Sequence, residues 1–90
     1  MTEIKQNENN FEISEDGKKA GLLNFQKTDD STIEIIHTEV DEEFGGKGLG
    51  KELVKAAVEY ARKNNYKVIP SCSYAKKTID KTPEFQDVLA

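Results

Sequence analysis

The sequence predicts an α+β domain: an antiparallel β meander, a glycine-rich loop, a helix, a parallel strand and a C-terminal helix. Three observations carry this. Thr32 to Val40, TIEIIHTEV, runs nine positions rich in β-branched residues with no Gly or Pro, as a strand does. Gly45-Gly46-Lys47-Gly48-Leu49-Gly50 follows closely. Beyond it apolar residues recur at helical spacing as far as Ala61, and Lys67-Val68-Ile69-Pro70 reads as a second, short strand.

The elements follow in order. Residues 1–10 are polar, with only Ile4 to bury, and are expected to form a flexible N-terminus; residues 11–90 form the single domain. Phe11-Glu12-Ile13 alternates as a strand, and Ala20 to Gln26 is apolar enough for its partner. Asp16-Gly17 is then the tip of a hairpin. The cluster Lys27 to Ser31 predicts a second turn, leading into Thr32–Val40. In the helix, Leu49, Leu53, Ala56, Ala57, Tyr60 and Ala61 share one face, while Lys51, Glu52, Lys55, Glu59, Arg62 and Lys63 share the other. Asn64-Asn65 supplies a left-handed stop. The stretch from Ser73 to Leu89 is helical in tendency, broken before Pro83 and restarted there with Thr82 as cap. A strand–helix–strand step is right-handed, so Thr32–Val40 and Lys67–Pro70 should run parallel.

Size and charge exclude much. Ninety residues allow one thin core, burying about 60–65% of the unfolded surface, and no separate substrate domain. Mean hydropathy is −0.72, and no apolar run approaches the roughly 18 residues of a membrane span. The first residues show no basic patch followed by an apolar stretch, so no signal peptide is expected. A single cysteine cannot form an internal disulfide, which makes a reducing cytoplasm the expected compartment. Thirteen basic against seventeen acidic residues give a net charge of −4. Nucleic acid is not an expected partner without a sustained basic footprint, and an acidic surface suits a cationic substrate better. One His and one Cys do not make a metal site of three or four N/S ligands, so no metal is expected.

The glycine loop carries the chemistry. Four glycines in six residues let the backbone approach a ligand, and the free N–H groups of the following helix favour a phosphate. Lys47 and Lys51 add positive charge. The plainer alternative is a flexible connection whose glycines only permit a sharp turn. Gly45 to Lys51 satisfies G-x-x-x-x-G-K, but Glu52 stands where a nucleotide-hydrolysing P-loop needs a Ser or Thr for Mg²⁺. The dinucleotide pattern G-x-G-x-x-G fails too, because from Gly46 and Gly48 its sixth position is Lys51.

The loop resembles that of the GNAT superfamily of N-acetyltransferases, which carries Q/R-x-x-G-x-G/A between a strand and a helix. Gly48-Leu49-Gly50 supplies the G-x-G, with Gly45 in place of the usual Gln or Arg. The stretch HTEVDEEFGGKGLGKELVKAAVEYARKNNYKVIPSCSYAKK is similar to the small single-domain members, and its I-P-S-C-S-Y segment is the most distinctive part. The resemblance implies the GNAT-like acyl-CoA N-acyltransferase fold. It also implies acetyl-CoA as donor and an amine, on a small molecule or a protein, as acceptor. The amides of Gly45, Gly46, Lys47, Gly48, Leu49, Gly50 and Lys51 would hold the coenzyme A pyrophosphate, and Thr32–Val40, ending at Val40, would pair with the pantetheine arm.

Four side chains are candidates for catalysis. Cys72 falls just past the second parallel strand; on its own it reads as a small buried hydrophobe, whereas the resemblance puts it near the thioester as a nucleophile. His37 shares a strand face with Ile33 and Ile35 by period two, either as a packed histidine or as a general base. Glu39, on that same face, would serve instead or orient His37. Tyr74 is either a rim aromatic or, by the resemblance, the acid that protonates the departing thiolate. Direct attack by the amine and transfer through Cys72 both remain open, as does a module that binds CoA without turnover.

Overall fold

The computed structural model describes residues 2–90. Five strands form one sheet in the order β1-β2-β3-β4-β5: β1 (Thr2–Gln6), β2 (Asn10–Glu15), β3 (Lys18–Asp29), β4 (Thr32–Val40) and β5 (Lys67–Pro70). Neighbours are antiparallel except β4 and β5, which are parallel as the crossover rule requires. Helices α1 (Leu49–Lys63) and α2 (Ser73–Asp80) follow β4 and β5, and a 3₁₀ turn spans Pro83–Val88.

Local signals explain most boundaries. Asp16 and Gly17 both have positive φ, 51° and 84°, at the β2–β3 hairpin tip. Asn65 ends α1 at φ 60°, with Tyr66 N–H on the Ala61 carbonyl at 2.8 Å and Asn65 N–H on Arg62 at 3.3 Å, closing the last turn. Thr82 precedes the Pro83–Val88 turn without making a side-chain capping bond. The segment expected to be a flexible N-terminus contains strand β1, paired with β2 from Thr2↔Glu15 to Gln6↔Phe11. All five of its residues are exposed, so the sequence carries no burial pattern there to reveal it. β3 also runs beyond Gln26 to Asp29, which shortens the second turn to Asp30-Ser31.

Both helices pack on one face of the sheet. Ile13, Leu23, Phe25, Ile33, Ile35 and Val68 meet Leu53, Val54, Ala57, Val58, Ala61, Ala75 and Ile79 in one buried cluster. The α1 stripe is centred on Leu53, Val54, Ala57 and Val58, while Ala56 and Tyr60 lie at its margin. Arg62 ties the C-terminal turn to α1, donating to both Asp87 carboxylate oxygens (3.0 and 2.7 Å) and to the Glu84 carbonyl at 2.8 Å. Beyond that turn, Ala90 N–H reaches the Val68 carbonyl at 3.0 Å and lines the outer edge of β5. No helix among the described residues is long and apolar enough to cross a membrane.

The core is thin, so single truncations should be costly. Leu53→Ala removes a fully buried side chain between sheet and helix and is expected to lower unfolding free energy by about 2–5 kcal/mol, read as a shifted urea midpoint at unchanged slope.

Candidate functional site

Strand β4 contains an irregularity that organises the site. Its register with β3 passes from Phe25↔Ile35 to Asn24↔His37, leaving Ile36 with no partner. One extra residue shifts the alternation, because a strand exchanges faces with every position. Ile33 and Ile35 point into the core before the bulge; beyond it Thr38, opposite the buried Leu23, takes that face. His37 and Glu39 therefore lie on the uncovered face, not on the face of Ile33 and Ile35 as simple alternation predicts. Their side chains are 55% and 61% exposed and meet at 3.1 Å between Nε2 and Oε2.

The bulge coincides with the end of β4–β5 pairing. β5 matches β4 from Thr32↔Lys67 to Ile35↔Pro70 and no further. The N–H groups of Ser71 and Cys72 then share the Ile35 carbonyl, each at 3.1 Å. On the uncovered face the Glu34 carboxylate accepts from the Ser71 hydroxyl and from Gln26 Nε2 at 3.1 Å; with the Ser71 bond foremost, these donors hold its carboxyl below the usual range. Past this point, among the described residues, residues 36–40 of β4 have no strand partner on the β5 side, and a cleft opens with Cys72 against Thr38 at its edge.

A cavity of about 400 Å³ occupies the cleft, lined by Thr38, Val40, Phe44, Gly45, Gly46, Gly48, Leu49, Gly50 and Tyr74. Its floor is the start of α1. Gly48 caps the helix at φ 74°, a left-handed conformation that a β-branched residue resists, and no side chain bonds to the first amides. The first bond of the helix runs from Glu52 N–H to the Gly48 carbonyl, so the amides of Leu49, Gly50 and Lys51 are the donors a helix start leaves over. Tyr74 packs over Gly50 so closely that a Cβ there would stand 2.5 Å from its Oη. The loop thus presents bare backbone donors at the positive end of a helix dipole, in the manner of a phosphate site. Lys47 lies over the Phe44 ring at 5.7 Å, beside the glycines.

Cys72 is half-buried at the N-cap of α2, with Sγ 3.6 Å from the Thr38 hydroxyl across the cleft. Burial pushes its thiol pKa up, but hydrogen bonds from the Ala75 amide, the Thr38 hydroxyl and the Tyr74 amide outweigh it, and the net shift is downward. The structure thus gathers Cys72, Tyr74, Val40 and the glycine loop around one cleft and leaves His37 and Glu39 on the other side of the sheet. Thr38 and Phe44 belong to the site but escaped the sequence reading. The adjacent Ile35-Ile36 pair, which breaks an otherwise alternating strand, is the signal that reveals Thr38. A larger cavity, about 640 Å³ between β1 and α1, holds none of these groups.

A parallel pair splayed over a glycine-capped helix leaves backbone donors free for an anionic ligand, and comparison with known proteins gives the family. The model of the GCN5-related N-acetyltransferase family matches residues 10–88, and the chain belongs to that family. A GCN5-like protein from Staphylococcus aureus, solved by NMR, superimposes with a TM-score of 0.80 at 45% identity, covering 98% of this chain and 87% of that one. An IAA acetyltransferase from Bacillus cereus superimposes with a TM-score of 0.63 at 27% identity, over 80% of this chain and 51% of its own. Protein NATD1 of Xenopus tropicalis is 31% identical over 62 residues, 69% of this chain and 57% of NATD1. The chain thus spans a little over half the length of that curated relative.

The environment of Cys72 makes a reactivity prediction that needs no ligand. A lowered thiol pKa puts more thiolate at a given pH, so alkylation of native Cys72 by iodoacetamide should reach half its limiting rate at lower pH than in the urea-unfolded chain. Coincident profiles would show that the helix N-terminus and Thr38 do not act on the sulfur.

Proposed function

We propose that this chain transfers an acetyl group from acetyl-CoA to an amine, on a small molecule or a protein, by way of Cys72. The observation that carries the reading is the position of Sγ: at the N-cap of α2, 3.6 Å from Thr38, where β4 and β5 part. CoA fits the cleft by its chemistry. The uncapped amides of α1 suit the pyrophosphate, Gly46 and Gly48 carry no side chain to obstruct it, and the unmatched side of β4 from Ile36 to Val40 offers backbone groups to an amide-bearing arm.

The proposed chemistry uses this chain's groups in two steps. The Cys72 thiolate attacks the acetyl carbonyl; its new C–S bond replaces the one to CoA, which leaves as a thiolate and takes a proton. Solvent supplies that proton; the Tyr74 hydroxyl, packed over Gly50, stands at the phosphate end of the cleft. A neutral amine then attacks the acetyl-cysteine, the C–S bond breaks, and Cys72 is released as thiolate. The amine arrives from the uncovered side of the sheet, where the His37–Glu39 pair stands ready to take its proton. Direct attack of the amine on the CoA thioester with His37 or Glu39 as base uses the same cleft without the cysteine, and the two routes give opposite results on one variant.

With acetyl-CoA and no acceptor, the protein is expected to gain one acetyl mass at Cys72, removable by hydroxylamine as a thioester is. Cys72→Ser should lose both the label and most of the acceptor-dependent rate. If Cys72→Ser keeps its rate and His37→Ala or Glu39→Gln loses about 10²–10⁴-fold, direct attack is the mechanism. Binding of CoA with no thiol released against a panel of amines would make the chain a binding module instead.

The loop has its own test. Gly48→Val forces a β-branched residue to φ 74° at the helix start, a strain of about 1–3 kcal/mol, and should weaken CoA binding at least about tenfold by calorimetry. The far-ultraviolet circular dichroism should stay that of the parent. Affinity within a few-fold of the parent would mean that the glycines serve only the turn.

A further inference from the structure

Tyr74 is a wall shared by two cavities. On its far side from the glycine loop lies a groove of about 300 Å³ between the start of α1 and α2, lined by Lys51, Tyr74, Lys77, Thr78, Lys81 and Thr82. Three of its six residues are lysines and none is a carboxylate, in a chain whose net charge is −4. Among the described residues none of the three lysines is in an ion pair. The ion pair on α2 belongs instead to Lys76, which meets Asp80 at 3.2 Å. Three ammonium groups around one groove repel one another, and a bound polyanion removes that repulsion. The two threonines add hydroxyls, and the first amides of α1 lie just across the Tyr74 ring.

We propose that this groove binds a phosphomonoester, the 3′-phosphate at the nucleotide end of CoA, through Lys51, Lys77 and Lys81 with the hydroxyl of Thr78. The assignment rests on the CoA reading given above and extends it to a second anionic group of the same ligand. The pyrophosphate takes the neutral amides on one side of Tyr74, and the doubly charged phosphate takes the ammonium groups on the other. Lysines suit this role, since an exposed monoester needs charge rather than a fixed bidentate geometry. The groove therefore makes the chain selective for CoA over its 3′-dephospho form.

Calorimetric titration of the whole chain with CoA and with 3′-dephospho-CoA tests the assignment without any turnover. The parent is expected to bind CoA about tenfold tighter than the dephospho form at low ionic strength, with the preference shrinking as salt is added. Lys77→Gln/Lys81→Gln should bring the two affinities together by weakening CoA alone, whereas Lys76→Gln, on the same helix, should keep the preference. Equal affinities in the parent would overturn the phosphate subsite while leaving the CoA reading intact. A preference that survives in the double variant would overturn its assignment to these lysines. If neither ligand binds, the CoA reading itself fails and the subsite falls with it.

Discussion

Strand β4 is held by β3 along most of its length but by β5 over only four register pairs, Thr32↔Lys67 to Ile35↔Pro70. The site depends on that asymmetry. An unmatched strand edge inside a sheet leaves backbone donors and acceptors unpaired, and they must find another partner. Here the Ile36 bulge bends β4 where β5 ends, and the Ile35 carbonyl takes the last two amides from the β5 side. What remains, among the described residues, is a length of strand from Ile36 to Val40 with no strand beside it on the β5 side, opening onto an uncapped helix start. The cavity, the sulfur of Cys72 and the ring of Tyr74 all border this opening. A fully paired β4 and β5 would close it.

The same bulge explains what could be read from the chain and what could not. β4 and β5 were legible to the residue, because β-branched runs bounded by turn residues and Pro leave little latitude. The glycine loop was legible as a sharp turn into an uncapped helix start, since left-handed backbone and bare amides follow from residue type. Face assignment along β4 was not. Period-two counting carries His37 onto the core face, and one unpaired residue reverses it, leaving Thr38 where His37 was expected. β1 was illegible for a different reason: Thr2 to Gln6 all remain exposed, so its pairing rests on backbone hydrogen bonds to β2, which hydropathy does not report.

Electrostatics in this small domain are local rather than global. A chain of net charge −4 is a poor host for an anion on average, yet two anion-seeking regions lie side by side at one end of the helical layer. One is built from peptide dipoles at the start of α1 and the other from three lysines spread over α1, α2 and the residue after it. Dipoles act within a turn of the helix end and exposed ammonium groups within about a Debye length, near 10 Å at 0.1 M salt, so each region is governed by its immediate neighbours rather than by the net charge of the chain. Cys72 profits from the same geometry at the N-cap of α2, where amides directed toward an incoming anion also stabilise a thiolate.

Placing both helices on one side of the sheet separates two tasks. The covered side supplies the cleft, the helix dipoles and Cys72. The other side presents His37 and Glu39 at the bulge, both side chains exposed. In this arrangement a donor would reach the splay from the helical side while an acceptor would approach through open solvent. The sheet itself is then the partition between them, and the gap beyond Ile35 is a break in it. His37 and Glu39 are both exposed, so whatever approaches that face meets their charge and shape rather than the walls of a pocket.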